Sequence, residues 1–387
     1  MSAQPSIEPA NEDVAYFNQV LKAGVDAGCS DIHIKVGTPA SYRISRAFHS
    51  IDFVPTQVWM QSVIDGICPK FMKAGLEADR ETDFSYSAPG VGRFRTNVFQ
   101  SLGRWCIVMR YIKSVVPSFE TLGLPEVLRT VAESPRGIVL MAGTTGSGKS
   151  TTLAAMIEHL NNSTRKHIVT LEDPIEFVFE ENQCLIEQRE LALDTMSFQR
   201  GMKSALRQDP DVIMVGEMRD AISFQTSMSA ADTGHTVIST MHTTSASSSV
   251  GRILEYFKQD ERDTIRRQLA GTLRAVVCQR MVPTAVGGMR PALEIMINTV
   301  TIRKAIEENQ LGKLLAIIEN SRKIVDTDGV TRWEDQGEGM MSFNQCLFNL
   351  MADGIITEER ALEKATNPQQ LKMWMEGIYT SSGGITG

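Results

Sequence analysis

The sequence predicts an α/β protein in which a parallel-sheet domain with a phosphate-binding loop follows a smaller α+β domain. A complete G-x-x-x-x-G-K-[ST] pattern occupies positions 143–150. From Arg136 onward, short apolar runs alternate with helical patterns, which is typical of parallel sheets. The 387 residues, 42% hydrophobic and 22% charged, are enough for two globular domains.

Composition shifts and turn residues predict the domain boundaries. We expect the α+β domain at 11–113 and a linker, bracketed by prolines, at 114–124. The parallel-sheet domain should cover 125–376, including a set of C-terminal helices. The last residues, 377–387, are polar and rich in glycine, and we expect a flexible tail there.

The first domain should contain both helices and strands. Apolar residues recur at helical spacing from Asn11 to Gly28 and again after Pro55. Alternating patterns bounded by turn residues predict five strands, at 30–36, 41–46, 82–87, 92–100 and 104–113.

A basic stretch lies between Gly92 and Lys113, where the chain has no acidic residue. Arg93 and Arg95 are two residues apart and share one strand face, where like charges repel unless an anion lies opposite. One interpretation is an exposed edge strand guarded by charge. The other is contact with an anion, and ATP is the anion that the phosphate loop implies.

The phosphate loop has the context that its chemistry needs. A short apolar run, 137–142, precedes it as a strand, and 152–160 follows it as a helix. Glycines let the backbone wrap a polyphosphate, Lys149 can reach the β- and γ-phosphates, and the Ser150 hydroxyl can bind Mg²⁺. The predicted nucleotide-binding residues are Thr144, Thr145, Gly146, Ser147, Gly148, Lys149, Ser150 and Thr151.

Two later strands should deliver carboxylates to the same edge of the sheet. The strand at 166–171 ends in Glu172, Asp173 and, after Pro174, Glu176. Ligands bind at the carboxyl ends of such strands, although acidic turns are also common.

A second apolar run leads to another carboxylate. The run 212–215 precedes Glu217, the arrangement that places a carboxylate beside Mg²⁺ in a Walker B motif. Gly216 stands where the acid usually follows directly, so Glu217 could bind the metal itself or through water.

Histidines flank another predicted strand, in the segment 233–244. His235 precedes the apolar residues and His242 follows them. An imidazole there could hydrogen-bond a γ-phosphate or orient a carboxylate, or it could serve the structure alone. Beyond residue 250 we expect mainly helices, with a helix at 261–281, a strand at 291–298, helices at 301–308 and 311–319, a polar span at 320–339, and helices from Met341 and Thr357.

Composition limits the function classes. The net charge of −7 and the pI near 5.5 argue against a general nucleic-acid coat. The N-terminus does not resemble a signal peptide, and there is no run of about 18 apolar residues, so we expect a cytoplasmic protein. The six cysteines are scattered singly and are expected to be reduced.

The motifs at 143–151, 171–176, 209–220 and 233–244 together resemble the Walker A, Asp-box, Walker B and His-box motifs of the secretion ATPase superfamily. More narrowly, the chain is similar to PilT/PilU-type type IV pilus retraction ATPases, whose N-terminal signature resembles Ser30-Asp-Ile-His-Ile. The resemblance implies a PAS-like first domain, a RecA-like P-loop ATPase domain, and a homo-hexameric ring with ATP at subunit interfaces.

The resemblance also implies roles for individual residues. Lys149, Glu176, Glu217 and His242 would be catalytic, and Ser150 and Glu217 would hold Mg²⁺. His235 and His242 match the two His-box positions. Three arginines would approach nucleotide across an interface, namely Arg93, Arg95 and Arg110.

The implied function is Mg²⁺-dependent ATP hydrolysis that drives pilus retraction and twitching motility, at the inner-membrane base of the pilus. Expected partners are an inner-membrane platform protein and a paralogous retraction ATPase, with no direct nucleic acid and membrane contact only through partners. The absence of a long N-terminal domain and of a four-cysteine module favours retraction.

Two alternatives remain open. Retraction motors carry Ala-Ile-Arg-Glu-Asn where this chain has an acid at Glu307, which favours an accessory PilU-like subunit with weak turnover. A RecA-like nucleic-acid motor is the other alternative, although the acidic pI and the lack of a basic, aromatic-interleaved tract argue against it.

Overall fold

The structure, a computed structural model, describes residues 12–112, 115–327 and 329–379. The start of the expected linker and the expected tail from residue 380 lie outside these ranges. No helix within them is long and apolar enough to cross a membrane. The chain forms two compact units.

The first unit comprises the described residues up to Val115 together with Pro174–Val178. Its six strands are all antiparallel, in the order β3-β2-β1-β6-β5-β4. The expected strands are present, and a short strand and a short helix appear besides. The elements are α1 (Glu12–Asp26), β1 (Asp31–Lys35), β2 (Ser41–Ile44), β3 (Ala47–Ser50), α2 (Gln57–Ile67), α3 (Lys73–Asp79), β4 (Glu81–Ala88), β5 (Gly92–Ser101) and β6 (Arg104–Ile112).

The second unit comprises Val116–Asp173 and the described chain from Phe179 onward. Its helices are α4 (Phe119–Leu122), α5 (Val127–Ala132), α6 (Lys149–Ser163), α7 (Phe198–Ala205), α8 (Ala221–Asp232), α9 (Ala246–Glu255), α10 (Arg262–Thr272), α11 (Val300–Glu307), α12 (Leu314–Asn320), α13 (Phe343–Ala352), α14 (Glu358–Lys364) and α15 (Pro368–Met375). Its strands are β7 (Gly137–Ala142), β8 (His167–Glu172), β9 (Leu185–Glu190), β10 (Val212–Val215), β11 (Thr236–Met241), β12 (Leu273–Pro283), β13 (Met289–Ile297), β14 (Arg322–Thr327) and β15 (Val330–Asp335).

Seven of these strands form the central sheet, in the order β13-β12-β7-β11-β10-β8-β9. All neighbouring pairs are parallel except β12 with β13. Every residue of β7, β10 and β11 is buried, which suits strands covered by helices on both faces of a parallel sheet. The segments that follow β7, β8, β10 and β11 therefore leave the sheet at one edge, its carboxyl edge.

The predicted helix at 261–281 is wrong beyond residue 272. The helix α10 ends at Thr272, and the next eleven residues form β12, which pairs with β7 on one side and with β13 on the other. The β-branched pair Val276 and Val277 suits a strand, and burial between two strands outweighs the helix-forming residues around it. The polar span at 320–339, for which no strand is predicted, contains the β14–β15 hairpin.

Candidate nucleotide site

The phosphate loop follows β7 and depends on three glycines with positive φ. These angles are 148° at Gly143, 78° at Gly146 and 82° at Gly148. A Cβ added at Gly143 would lie 2.5 Å from Ser147 Oγ and 2.6 Å from the carbonyl oxygen of Gln279. Glycine is required here because the loop is tightly curved and packs closely against β12.

The loop presents a cation and hydrogen-bond donors at the start of α6. The buried Lys149 Nζ donates to the carbonyl oxygens of Gly143 at 2.8 Å and Thr144 at 3.0 Å, which holds the ammonium within the loop. The Ser147 hydroxyl oxygen is buried and has no hydrogen-bond partner among the described residues. A polyphosphate fits this donor set, and the 15-residue α6 points its positive dipole end at it.

The structure brings all eight predicted nucleotide-binding residues together in this loop and the first turn of α6. Thr144, Thr145 and Gly146 are exposed at the tip, and Ser150 and Thr151 are half-buried at the helix start. The tip of the loop is therefore accessible to a ligand, whereas the side chains of Ser147 and Lys149 are buried.

Gln279 on β12 supports the loop, a role that no motif in the sequence indicates. Its Nε2 donates to the carbonyl oxygen of Ser147 at 2.7 Å, and its Oε1 accepts from Thr152 Oγ1 at 2.8 Å. The side chain is 2% exposed. It joins the loop to α6 and to the central sheet, a link that connects residues 132 positions apart.

Glu217 and His242 meet at the carboxyl edge of the sheet. The strands β10 and β11 are adjacent and parallel, and the residues that follow them place Glu217 Oε1 3.1 Å from His242 Nε2. The other carboxylate oxygen accepts from Arg219 Nη2 at 2.8 Å. The backbone next to Glu217 is also fixed to β11, because Thr240 Oγ1 donates to the carbonyl oxygen of Gly216 at 2.7 Å.

The surroundings keep the Glu217 carboxyl ionised. Partial burial by itself would raise its pKa, but the hydrogen bond from Arg219 and the interaction with His242 outweigh burial, so the pKa lies below its ordinary value. The same contact raises the pKa of Arg219, with a smaller contribution from Asp173. A carboxylate with this charge state can serve as a metal ligand or can accept a hydrogen bond from water.

The three acids that follow β8 have different environments. Glu172 is buried and accepts hydrogen bonds from Thr170 Oγ1 at 2.7 Å and Gln188 Nε2 at 3.2 Å, which gives it a structural role. Asp173 is exposed and lies near enough to Arg219 to affect that residue's pKa. Glu176 is exposed and belongs to the segment that groups with the first unit.

The structure does not bring His235 to the carboxyl edge. This residue directly precedes β11, and its carbonyl accepts from the backbone N–H of Gly137, the first residue of β7. Its Nδ1 lies 2.9 Å from the carbonyl oxygen of Ala230 and 3.1 Å from Thr233 Oγ1. Since six strand residues separate the two histidines, they lie roughly 20 Å apart along β11.

The three arginines of the basic stretch lie on neighbouring strands of the first unit. Arg95 on β5 is directly opposite Arg110 on β6, and Arg93 shares the strand face of Arg95. Arg110 Nε donates to Asp31 Oδ1 at 2.9 Å, while its side chain remains 69% exposed. The positive charge of Arg110 is thus paired with a carboxylate on β1, Asp31, which lies outside the basic stretch.

The chain matches the family model described as type II/IV secretion system protein over residues 82–339. It is 39% identical to the type IV pilus retractation ATPase PilT of Pseudomonas aeruginosa over 354 residues, which are 91% of this chain and 99% of that protein. It is 33% identical to the type IV pilus ATPase PilU of the same organism, over 93% of this chain and 91% of PilU.

Solved structures agree with these matches. A crystal structure of the pilus retraction motor PilT with bound ADP is 35% identical and superposes with a TM-score of 0.82, over 92% of this chain and 98% of that one. The expected fold, a parallel-sheet ATPase domain after a smaller α+β domain, is confirmed. The chain therefore belongs to the type II/IV secretion system protein family, and it is an ATPase of the PilT/PilU type.

Proposed function

We propose that this chain hydrolyses ATP with Mg²⁺ to drive retraction of a type IV pilus. The observation that carries the proposal is the placement of the phosphate loop, Glu217 and His242 at one edge of a single sheet. The names of the similar proteins, a pilus retractation ATPase and a pilus retraction motor, support retraction as the work performed.

Each side chain at this edge has a defined role in the proposal. Lys149 binds the β- and γ-phosphates, and the loop N–H groups and the Ser147 hydroxyl donate to phosphate oxygens. Ser150 and Glu217 hold Mg²⁺, with Glu217 binding directly or through a water. Bound Mg²⁺ neutralises charge on the phosphates. His242 fixes the orientation of the Glu217 carboxylate, as its 3.1 Å contact supports.

The remaining catalytic groups are proposed from the family resemblance. Glu176 orients the attacking water, and its exposure leaves it accessible to do so. Arg93, Arg95 and Arg110 stabilise phosphate charge from a neighbouring subunit, which is consistent with their position on adjacent strands. His235 we assign instead to holding the amino end of β11.

The proposed assembly is a ring of six copies that acts on an inner-membrane platform protein from the cytoplasmic side. A paralogous retraction ATPase is a further partner. Contact with the membrane would pass through these partners, and nucleic acid is not proposed as a ligand because the chain carries a net charge of −7.

A second candidate function is that of an accessory subunit, which binds a principal retraction motor and turns over slowly by itself. Glu307 favours it, because its side chain is exposed near the end of α11 while the preceding Ala305 and Ile306 are buried. An acid in place of an arginine there changes the charge of a surface without changing the fold. The identity to PilU is 33%, below the 39% identity to PilT, so the comparisons do not favour this candidate over the motor.

The test is the ATPase rate per subunit as a function of protein concentration, for the wild type, Arg93→Ala and Arg104→Ala. Arg104 is the control because it is an arginine of the same sheet at the start of β6; it is exposed, whereas Arg93 is half-buried. We expect the wild-type rate to rise cooperatively, and Arg93→Ala to lower it at least about tenfold, since arginines supplied in trans contribute about 10³–10⁵ in related reactions.

The outcomes separate the two candidates. A cooperative rate that falls in Arg93→Ala and persists in Arg104→Ala supports a composite site in an active motor. A low rate that is indifferent to concentration and to both substitutions contradicts the motor and favours the accessory subunit. Circular dichroism of each variant excludes loss of fold as the cause.

A further inference from the structure

A cavity of about 440 Å³ lies within the second unit, at the amino edge of the sheet and thus opposite the phosphate loop. Its walls come from the start of β7, the start of β12 and the ends of α8 and α10. The volume falls within the range of about 300–1,000 Å³ that is usual for small-molecule sites. Neither ATP binding nor the family motifs account for it.

The walls of this amino-edge cavity are strongly basic. Arg136, Arg274 and Arg303 line it, against one carboxylate, Asp232. None of the three arginines forms an ion pair with a residue that the structure describes, although Arg274 Nε donates to the Ser134 hydroxyl at 2.9 Å. Asp232 already accepts a hydrogen bond from Gln268 Nε2 at 3.0 Å. In a chain of net charge −7, this concentration of cationic groups attracts an anion.

Asn298 adds a second, independent indication of a ligand. This residue lines the cavity and is only 5% exposed. Both amide hydrogens are used, since Nδ2 donates to the carbonyl oxygens of Ala270 at 2.9 Å and Leu273 at 2.7 Å. The orientation of the amide is therefore fixed, and Oδ1 is a buried acceptor without a hydrogen-bond partner in the described chain. Buried acceptors normally have a donor.

We propose that this amino-edge cavity binds a small polyanion that also carries a hydroxyl or amino donor. The arginines would bind its carboxylate or phosphate groups, for which guanidinium is well suited, and Asn298 Oδ1 would accept from its donor. The site would be separate from the nucleotide site, because the two lie at opposite edges of the sheet.

The test is calorimetric titration of the full chain, with the phosphate loop saturated by ADP and with no Mg²⁺ present, because Mg²⁺ would chelate the carboxylate probes. The probes are citrate and glycerol 3-phosphate, which distinguish a carboxylate from a phosphate ligand, and tricarballylate, which is citrate without its hydroxyl. We expect one site per chain, and tricarballylate should bind at least fivefold more weakly than citrate.

The variants are Arg136→Gln/Arg303→Gln and the control Arg165→Gln/Arg207→Gln. Both pairs are exposed and remove the same charge, and the control arginines precede β8 and β10 without lining the cavity. We expect at least a tenfold loss of affinity in the first double variant and less than twofold in the control. Absence of binding by citrate and glycerol 3-phosphate, or equal losses in the two variants, would overturn the proposal. Because no step requires ATP hydrolysis, the result is independent of the proposed motor function.

Discussion

Replacing Gln279 with leucine removes the two hydrogen bonds that fix the phosphate loop to the sheet. The carbonyl oxygen of Ser147 and the hydroxyl of Thr152 would both lose a partner in a buried place. Each buried polar group left without a partner costs about 1–3 kcal/mol. We therefore expect Gln279→Leu to lower the free energy of unfolding by about 2–6 kcal/mol.

Part of that loss should appear as weaker nucleotide binding. The Ser147 peptide belongs to the loop that presents N–H groups to phosphate, so releasing its carbonyl loosens the positions of those donors. If about 1.4 kcal/mol of the loss is expressed in binding, the Kd for ADP rises tenfold. The assay is calorimetric titration with ADP, with urea unfolding measured in parallel.

Gln345→Leu is the matched control. Gln345 is also a fully buried amide with two hydrogen bonds, from Nε2 to the carbonyl oxygen of Glu319 at 2.9 Å and from the Ser342 N–H at 3.0 Å. It lies on α13, outside the phosphate loop. Similar losses of stability with a Kd change in Gln279→Leu alone would support the positioning role. An unchanged Kd in Gln279→Leu, or equal changes in both variants, would refute it.

The remaining predictions concern titration and reactivity in the second unit. The pKa of Glu217 in the folded protein is below its value in the unfolded chain, so this carboxylate stabilises the fold above about pH 4.3, and the stabilisation is lost as pH falls through the folded pKa. The difference in free energy of unfolding between wild type and Glu217→Gln, measured by urea titration, should therefore shrink below about pH 4. Glu217→Gln should also abolish measurable ATP turnover while ADP affinity changes less than about threefold, and a variant that still turns over at the wild-type rate would contradict the role of this carboxylate. Burial, with a smaller effect of Glu294, raises the pKa of the Cys278 thiol to about 12, so iodoacetamide at pH 8 should label it only after unfolding, as peptide mass spectrometry would show.

Local patterns allowed the main features of the nucleotide site to be predicted. The phosphate loop is contiguous in sequence, and the spacing of its glycines and Lys149 is enough to predict the local conformation. Glu217 and His242 each follow a predicted strand, but no sequence pattern predicts that these two strands are neighbours or that the two side chains meet. Their distance of 3.1 Å was not predictable, because it depends on side-chain packing at the edge of the sheet.

The residues that could not be predicted depend on long-range pairing. His235 and His242 flank a predicted strand, and β11 does put them at opposite edges of the sheet; what the motif did not indicate is that only His242 contacts Glu217, because that contact depends on the pairing of β11 with β10. Gln279 could not be found because its segment has helix-forming neighbours, and only pairing with both β7 and β13 makes it a strand.

The strand β12, which the sequence patterns predicted as part of a helix, contacts several parts of the site. Gln279 and Arg280 are successive residues of β12, so their side chains point to opposite faces of the sheet. On one face Gln279 holds the phosphate loop. On the other, Arg280 donates to the carbonyl oxygens of Thr244 at 3.0 Å and Lys364 at 2.8 Å, and lies 3.9 Å from the centroid of the Phe343 ring. The phosphate loop, the segment after His242 and the C-terminal helices are thus fixed to one strand that is hydrogen-bonded on both sides, and none of them can shift far without breaking a hydrogen bond to it.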